Sequence, residues 1–438
     1  MKISWINPEQ RIEFEMIQLQ DESVDTEELK ERWEKIKADS SDINTEVGNF
    51  LNELERFKRE NDNDTIKSFL AGLEKKFKTS DIKISSDILY DKILGGWNGR
   101  AAGCLLGKPV EKYSRSIIKE ILTSNKTYPL EDYITAKGIP ENLLIKYPWN
   151  KHSGKESLRE NIECMTEDDD LNYTMLNLSV LENIGKDFTT EDIANAWLNN
   201  LPVLSVFTAE RIAYLNLLEN KNIKEVPLFQ NPYREWIGAM IRADVWGWAS
   251  PGNPVQAARL AYNDSSLSHT RNGIYGSMFL ASAIALSFIY NSPEEILKEA
   301  LNFIPEDSKI FDAVNFGITC AKKYSSWENV LDELQKEYKK YFWVHSVNNA
   351  ALISASLIFG KGDYEKSICC AVMGGWDTDS DGASVGSIMG IILGNNNLPD
   401  KWIKPLNNNI RSSLKGFDDS NISELANRTF RIAMLNQL

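Results

Sequence analysis

Glycine recurs at every fourth residue in two apolar stretches of this chain, at Gly99, Gly103 and Gly107 and again at Gly382, Gly386, Gly390 and Gly394. A four-residue spacing lines each set along one face of an α-helix. Glycine in a helix interior costs roughly 1 kcal/mol relative to alanine. A whole face of it makes physical sense where another backbone comes too close to admit a Cβ. The repeats therefore predict two helices, each with a neighbouring backbone at very short range. Both follow a Gly-Gly-Trp, at 95–97 and 374–376, although three residues are too few to make an internal repeat.

The surrounding sequence is helical in character as well. From about residue 88 onward, β-hairpin signals are scarce, and the pattern predicts one all-α domain over 88–438. Gly273 to Tyr290 runs for eighteen residues without a charge, which is about the lower limit for a membrane span. Three serines and two glycines dilute this run, so it is expected to be a buried helix. Residues 124–164, with Pro129, Pro140 and Pro148, suggest a long loop or insertion of the kind that often carries function.

The N-terminus differs in composition. Of the first 80 residues 32 are charged, 13 basic and 19 acidic, against 26% charged in the whole chain. Apolar stripes run through this part: Leu29, Trp33 and Ile36, then Val47, Phe50, Leu51, Leu54 and Phe57, then Ile66, Phe69, Leu70, Leu73 and Phe77. They predict a charged helical extension over 1–80, a hairpin or small bundle able to dock a protein partner, with 78–87 as its linker.

A net charge of −14 argues against nucleic acid as the main partner, because phosphate binding needs a basic face. The five cysteines have no zinc-site spacing, and the N-terminus lacks the apolar core of a signal peptide. A reducing, cytoplasmic setting is expected, with no membrane association.

Two acidic clusters stand out. "GGWDTDSDGASVGSIMG" (374–390) opens like an EF-hand loop, with Asp377, Asp379, Asp381 and Gly382. An EF-hand needs an acidic ligand at its twelfth position, which here is Ile388, so this is a different kind of acid cluster. "MTEDDDLNYTMLNLSVLE" (165–182) holds four acids, Glu167 to Asp170, ahead of an apolar helix. Taken alone these acids serve equally well as a helix cap, with Thr166 and Asp169 resembling a capping box. Each cluster sets short carboxylates where a loop meets a buried helix. Acids converging in a core need a cation to neutralise them. Oxygen donors, with the hydroxyls of Thr378 and Ser380 nearby, suit Mg²⁺, Mn²⁺ or Ca²⁺ rather than zinc. In "NGRAAGCLLGKPVEKY" (98–113), Pro109 breaks a glycine-faced helix and Glu111 follows; by itself that glutamate would pass for an ordinary surface residue.

Together these segments resemble the ADP-ribosylglycohydrolase family, which includes the dinitrogen-reductase-activating glycohydrolase. "GGWNGRAAGCLLGKPVE" is similar to the family's N-terminal signature, "TEDDDLNYT" to its first acidic motif and "GGWDTDSDGASVGSIMG" to its C-terminal metal motif. The segment 241–285, with His269, resembles its middle part. The resemblance implies a compact all-α globule holding two Mg²⁺ or Mn²⁺ ions at the base of a cleft. Its implied activity is cleavage at the terminal ribose C1 of ADP-ribosyl groups carried by protein side chains or small acceptors. It further implies metal ligands among Asp168, Asp169, Asp170, Asp377, Asp379 and Ser380, with Glu111 as the catalytic carboxylate. Substrate contacts are implied from His269, Gly107, Asn272, Gly273 and Trp376.

The departures are specific. Leu171 stands where the first motif has its second threonine, which leaves the ligand register within 168–170 open. Ser380 replaces a threonine and keeps the hydroxyl, Asp381 adds a carboxylate, and Trp376 adds bulk. The alternatives are a relative acting on another N-riboside or on a guanidine- or amidine-bearing metabolite, and a protein that binds ADP-ribose without turnover.

Overall fold

The structure is a computed structural model describing residues 3–39, 43–58, 62–77 and 83–435. Among these there are 21 α-helices and a single two-residue strand pair, Asn409–Ile410 with Ser420–Asn421. The fold is all-α. No described helix is long and apolar enough to cross a membrane.

The two glycine faces belong to each other. The first glycine helix, Ser86–Gly107, lies antiparallel against the second, Thr378–Leu393. Gly95 meets Gly390, Gly99 meets Gly386, Gly103 meets Gly382, and Gly107 meets Thr378. A Cβ on Gly103 would sit 2.0 Å from the Gly382 carbonyl oxygen, and one on Gly386 would sit 2.1 Å from that of Gly99. No side chain fits between backbones in such contact. The structure also corrects two details. The first Gly-Gly-Trp lies inside its helix, so that Gly95 is a fourth member of the stripe. Gly394 stands outside the second helix at a φ of 76°, where it ends that helix beside the Asp91 carboxylate.

This pair forms the middle of the main core. Ile422–Met434 packs on the first glycine helix, with Trp97 Nε1 donating to Thr429 Oγ1 at 3.0 Å, and Tyr364–Met373 packs on the second. The long uncharged run forms the helix Arg271–Leu286, buried from Asn272 to its end, so its apolar length faces protein.

The N-terminal residues form the helices Pro8–Asp21, Glu27–Asp39, Ile43–Leu54 and Asn63–Lys76. The first three enclose a small core of their own around Leu19, Trp33, Phe50 and Leu54, with Trp33 stacked on Phe50 at 5.8 Å. The fourth helix instead turns Ile66, Leu70 and Leu73 into the main core. Phe57 falls past the end of its helix and is 39% exposed. Pro8–Asp21 turns Ile12, Met16 and Leu19 into that small core and presents Glu15 and Gln18 for polar contacts with the main body. Of the expected linker, residues 78–82 lie outside the described residues, and Ser86 already opens the first glycine helix. Residues 124–164 contain one short helix, Glu141–Lys146, and otherwise wander as the proline spacing predicts.

Candidate metal centre

The antiparallel register fixes where the acids meet. Gly107 presses on the Thr378–Asp379 backbone, and Thr378 Oγ1 donates to the Gly107 carbonyl at 2.8 Å. The chain then makes a tight turn over Lys108–Val110, with Pro109 blocking further α-helix, and delivers Glu111 beside the N-terminus of the second glycine helix. Asp377 occupies the N-cap position there, and Asp379 lies in the first turn. Carboxylate oxygens of Glu111, Asp377 and Asp379 all lie within 4.8 Å of one another.

The other acidic cluster arrives from a helix beginning at Asp169. Asp168, rather than Thr166, is its N-cap, accepting from the Asp170 backbone N–H at 2.9 Å. It serves the centre as well. Asp168, Asp170 and Asp379 form a second group with the Cys104 thiol, again with ligand atoms within 4.8 Å. The two clusters, two hundred residues apart in the chain, thus share Asp379. In this arrangement Asp168 and Asp170 point toward the C-terminal motif, and Asp169 faces the cleft.

The electrostatics call for a cation. Burial raises the Asp377 carboxyl well above its ordinary range, helped by Asp379 and Glu111. Burial, with Glu111 and Asp168 adding to it, pushes Asp379 up to about 8. Asp381 is raised by burial and by Asp379. Asp379 Oδ1 and both oxygens of Asp381 have no hydrogen-bond partner, although these residues are 4% and 0% exposed. Buried, unpaired carboxylates of one sign are stable as anions only with positive charge among them. The all-oxygen donors suit a hard divalent ion. Burial, with Asp168 next, holds the Cys104 thiol well above its ordinary value, so it stays protonated and is a weak ligand.

Further side chains complete the site. Arg100 donates to Asp170 Oδ1 at 3.0 Å and to Asp244 Oδ2 at 2.7 Å, and Ser380 Oγ donates to Asp170 Oδ2 at 3.1 Å. Lys108 pairs with Asp168. Asn150, from the long loop, donates to Glu111. Above the acids opens a cleft of about 950 Å³, counted with its open mouth. Its walls are aromatic: Trp5 from the N-terminal extension, Phe207 and Trp343, with His152 beside Phe207 at 5.9 Å. Lys108 lay in plain sight in "LGKPVE", and Arg100 is the only charge between Ile93 and Gly107, a signal in itself. Nothing local marks Trp5 or Asn150.

Of the residues named from the sequence, Glu111, Asp168, Asp169, Asp377, Asp379 and Ser380 line the cleft. Asp170 lies behind it, held by Arg100 and Ser380. The residues named for substrate contact lie elsewhere. His269 is fully buried behind Glu210, its Nδ1 sharing a hydrogen with Ser268 Oγ at 2.8 Å. Asn272 donates to Glu235 at 2.6 Å, and Gly273 packs on Arg234 and His269. Gly107 is spent on the helix contact. Trp376, at a φ of 63°, is buried in the turn that leads into Asp377 and does not line the cleft.

The sequence model of the ADP-ribosylglycohydrolase family matches residues 85–437. The chain belongs to this family. The matched span begins one residue before the first glycine helix and leaves the N-terminal extension outside. No curated protein sequence matches the chain. A solved structure described as an ADP-ribosylglycohydrolase-related protein complex covers 80% of this chain and 100% of its own, at 18% identity and a TM-score of 0.47. Membership supports glycohydrolase chemistry, and the acid cluster of this family member has the composition of a metal site.

Proposed function

We propose that the protein is a divalent-metal-dependent hydrolase that cleaves the C1 bond of the terminal ribose in an ADP-ribosylated side chain or small ADP-ribosyl conjugate. The observation that carries this is the meeting of Glu111, Asp377 and Asp379 at the floor of an aromatic-walled cleft. Those three residues would hold the ion, Mg²⁺ or Mn²⁺ by their donor type. A bound ion supplies Lewis-acid polarisation and orients substrate oxygens.

The protein's own groups account for the rest. Departure of the acceptor builds positive, oxocarbenium-like charge on the ribose, and a floor of carboxylates favours it. Glu111, steered by Asn150, stands at the cleft edge of the cluster, where it can take a proton from the attacking water or pass one to the leaving group. Trp5, Phe207 and Trp343 offer flat apolar surface for a nucleobase, and they keep water from the floor.

The test is release of ADP-ribose from arginine- and serine-linked substrates with Mg²⁺ or Mn²⁺. Removing a positioned acid or base costs about 10²–10⁴-fold in rate. Glu111→Gln and Asp377→Asn are each expected to weaken metal binding, and Glu111→Gln to lose activity in that range even when metal is supplied in excess. No release from either linkage by the metal-loaded wild type would reject the reading.

A further inference from the structure

We propose that the Lys108 ammonium occupies the place of a second cation in the acid cluster, so that the centre takes one divalent ion, held by Glu111, Asp377 and Asp379. This rests on the metal-dependent reading above and departs from the two ions that the family resemblance implies.

The two groups of donors are neutralised differently. In the group of Cys104, Asp168, Asp170 and Asp379, positive charge is already built in. Lys108, 2% exposed, pairs with Asp168. Arg100, 0% exposed, holds Asp170 at 3.0 Å, and the Ser380 hydroxyl takes the other Asp170 oxygen at 3.1 Å. Cys104 adds a neutral thiol. Every donor of this group except Asp379 is therefore engaged or weak. A divalent ion brought here would have to displace a buried ammonium from its carboxylate, or sit beside it against like-charge repulsion in a medium that screens poorly.

The group of Glu111, Asp377 and Asp379 contrasts with it. Among the described residues, no buried lysine or arginine bonds to any of the three. Lys112 lies 3.4 Å from Glu111, but its side chain is 48% exposed and its charge is screened by water. Asp379 Oδ1 is 4% exposed at residue level and has no hydrogen-bond partner. Lys108 acts on Asp379 only through space, and three carboxylates with no buried cation bonded to them are a donor set that one divalent ion neutralises.

The placement of Lys108 is dictated by the fold. It is the first residue past the first glycine helix, and the Gly107–Thr378 contact pins its backbone. The side chain enters the core rather than leaving it, so it is a fixed part of the site.

Mn²⁺ titration with native mass spectrometry and electron paramagnetic resonance tests this directly. The wild type is expected to take one ion per chain and give the six-line spectrum of an isolated Mn²⁺. Lys108→Met is expected to take two ions and show the multiline spectrum of a coupled pair, and Lys108→Arg is expected to stay at one. A wild type that binds two ions, or none, overturns the proposal, as does Lys108→Met remaining at one. Should Lys108→Met fail to fold, the wild-type count decides alone. Absence of ADP-ribose release from a protein carrying one ion would reject the assigned reaction and leave the ion count standing.

Discussion

His269 and His345 show how burial converts a common residue into a sensor of acid. Burial, and then the nearby Arg242 charge, hold His269 well below its ordinary value. Burial lowers His345 to about 4 despite Asp21 and Glu235, with Lys309 and Lys340 opposing them. An unfolded histidine titrates near 6.5, so between about 4 and 6.5 the unfolded chain binds more protons than the folded one. Stability therefore rises with pH in that window and is lost as pH falls. Each histidine contributes about 1.4 kcal/mol per pH unit, so His345 alone costs about 2 kcal/mol between pH 6.5 and 5. Thermal melting across this range should show the loss in the wild type and a flatter profile in a His269→Gln, His345→Gln variant. An unchanged slope would rule out the assignment. In the sequence, His269 lies in a segment that resembles the family's middle part, and this suggested a place in the cleft. Its burial behind Glu210 depends on the packing of separate helices, which no local pattern encodes.

At the scale of elements, the same substitution should have opposite signs at two glycines. Gly103→Ala puts a methyl 2.0 Å from the Gly382 carbonyl oxygen and must push the helices apart. Overpacking of this kind costs typically 1–3 kcal/mol. Because the contact also sets Glu111 against Asp377 and Asp379, metal affinity should fall with stability, which denaturant melts and Mn²⁺ titration would both register. Gly72 sits on an exposed helix face where an added methyl would meet no atom within 4 Å, so Gly72→Ala should stabilise by about 0.5–1 kcal/mol in the same melts. The four-residue glycine spacing made both close-packed helices legible, since few other constraints leave that mark. That each is the other's partner, in a register joining Gly95 to Gly390 and Gly107 to Thr378, is a fact of assembly.

For the molecule as a whole, the N-terminal extension is fastened to the main body by buried charge. Arg234 pairs with Glu15 at 2.8 Å and Glu22 at 2.7 Å, Lys58 donates to the Leu228 carbonyl at 2.8 Å, and Gln18 donates to Glu235 at 3.0 Å. Phe14 packs on Tyr233, Trp236 and Phe342, and Trp5 reaches the cleft wall. One side of the extension is thus packed on this chain itself. Removing one member of a buried pair typically costs 3–5 kcal/mol, because the other charge is left without compensation. Glu15→Ala should lower the unfolding free energy by about that amount. A change below about 0.5 kcal/mol, the level of a surface pair, would show that these ion pairs do not hold the extension in place.

The sequence by itself determined the helical class, the two glycine faces, the charged extension and the two acidic motifs. Each of these is a periodic or local pattern, and helix geometry translates such a pattern directly into structure. Only the tertiary structure decided that Asp168 and Asp170 meet Asp379, that Lys108 and Arg100 stand among the acids, and that Trp5 walls the cleft. Those contacts join residues far apart in the chain. Backbone-to-backbone packing and the cancelling of buried charge brought them together, and both act between segments whose local sequences carry no record of one another.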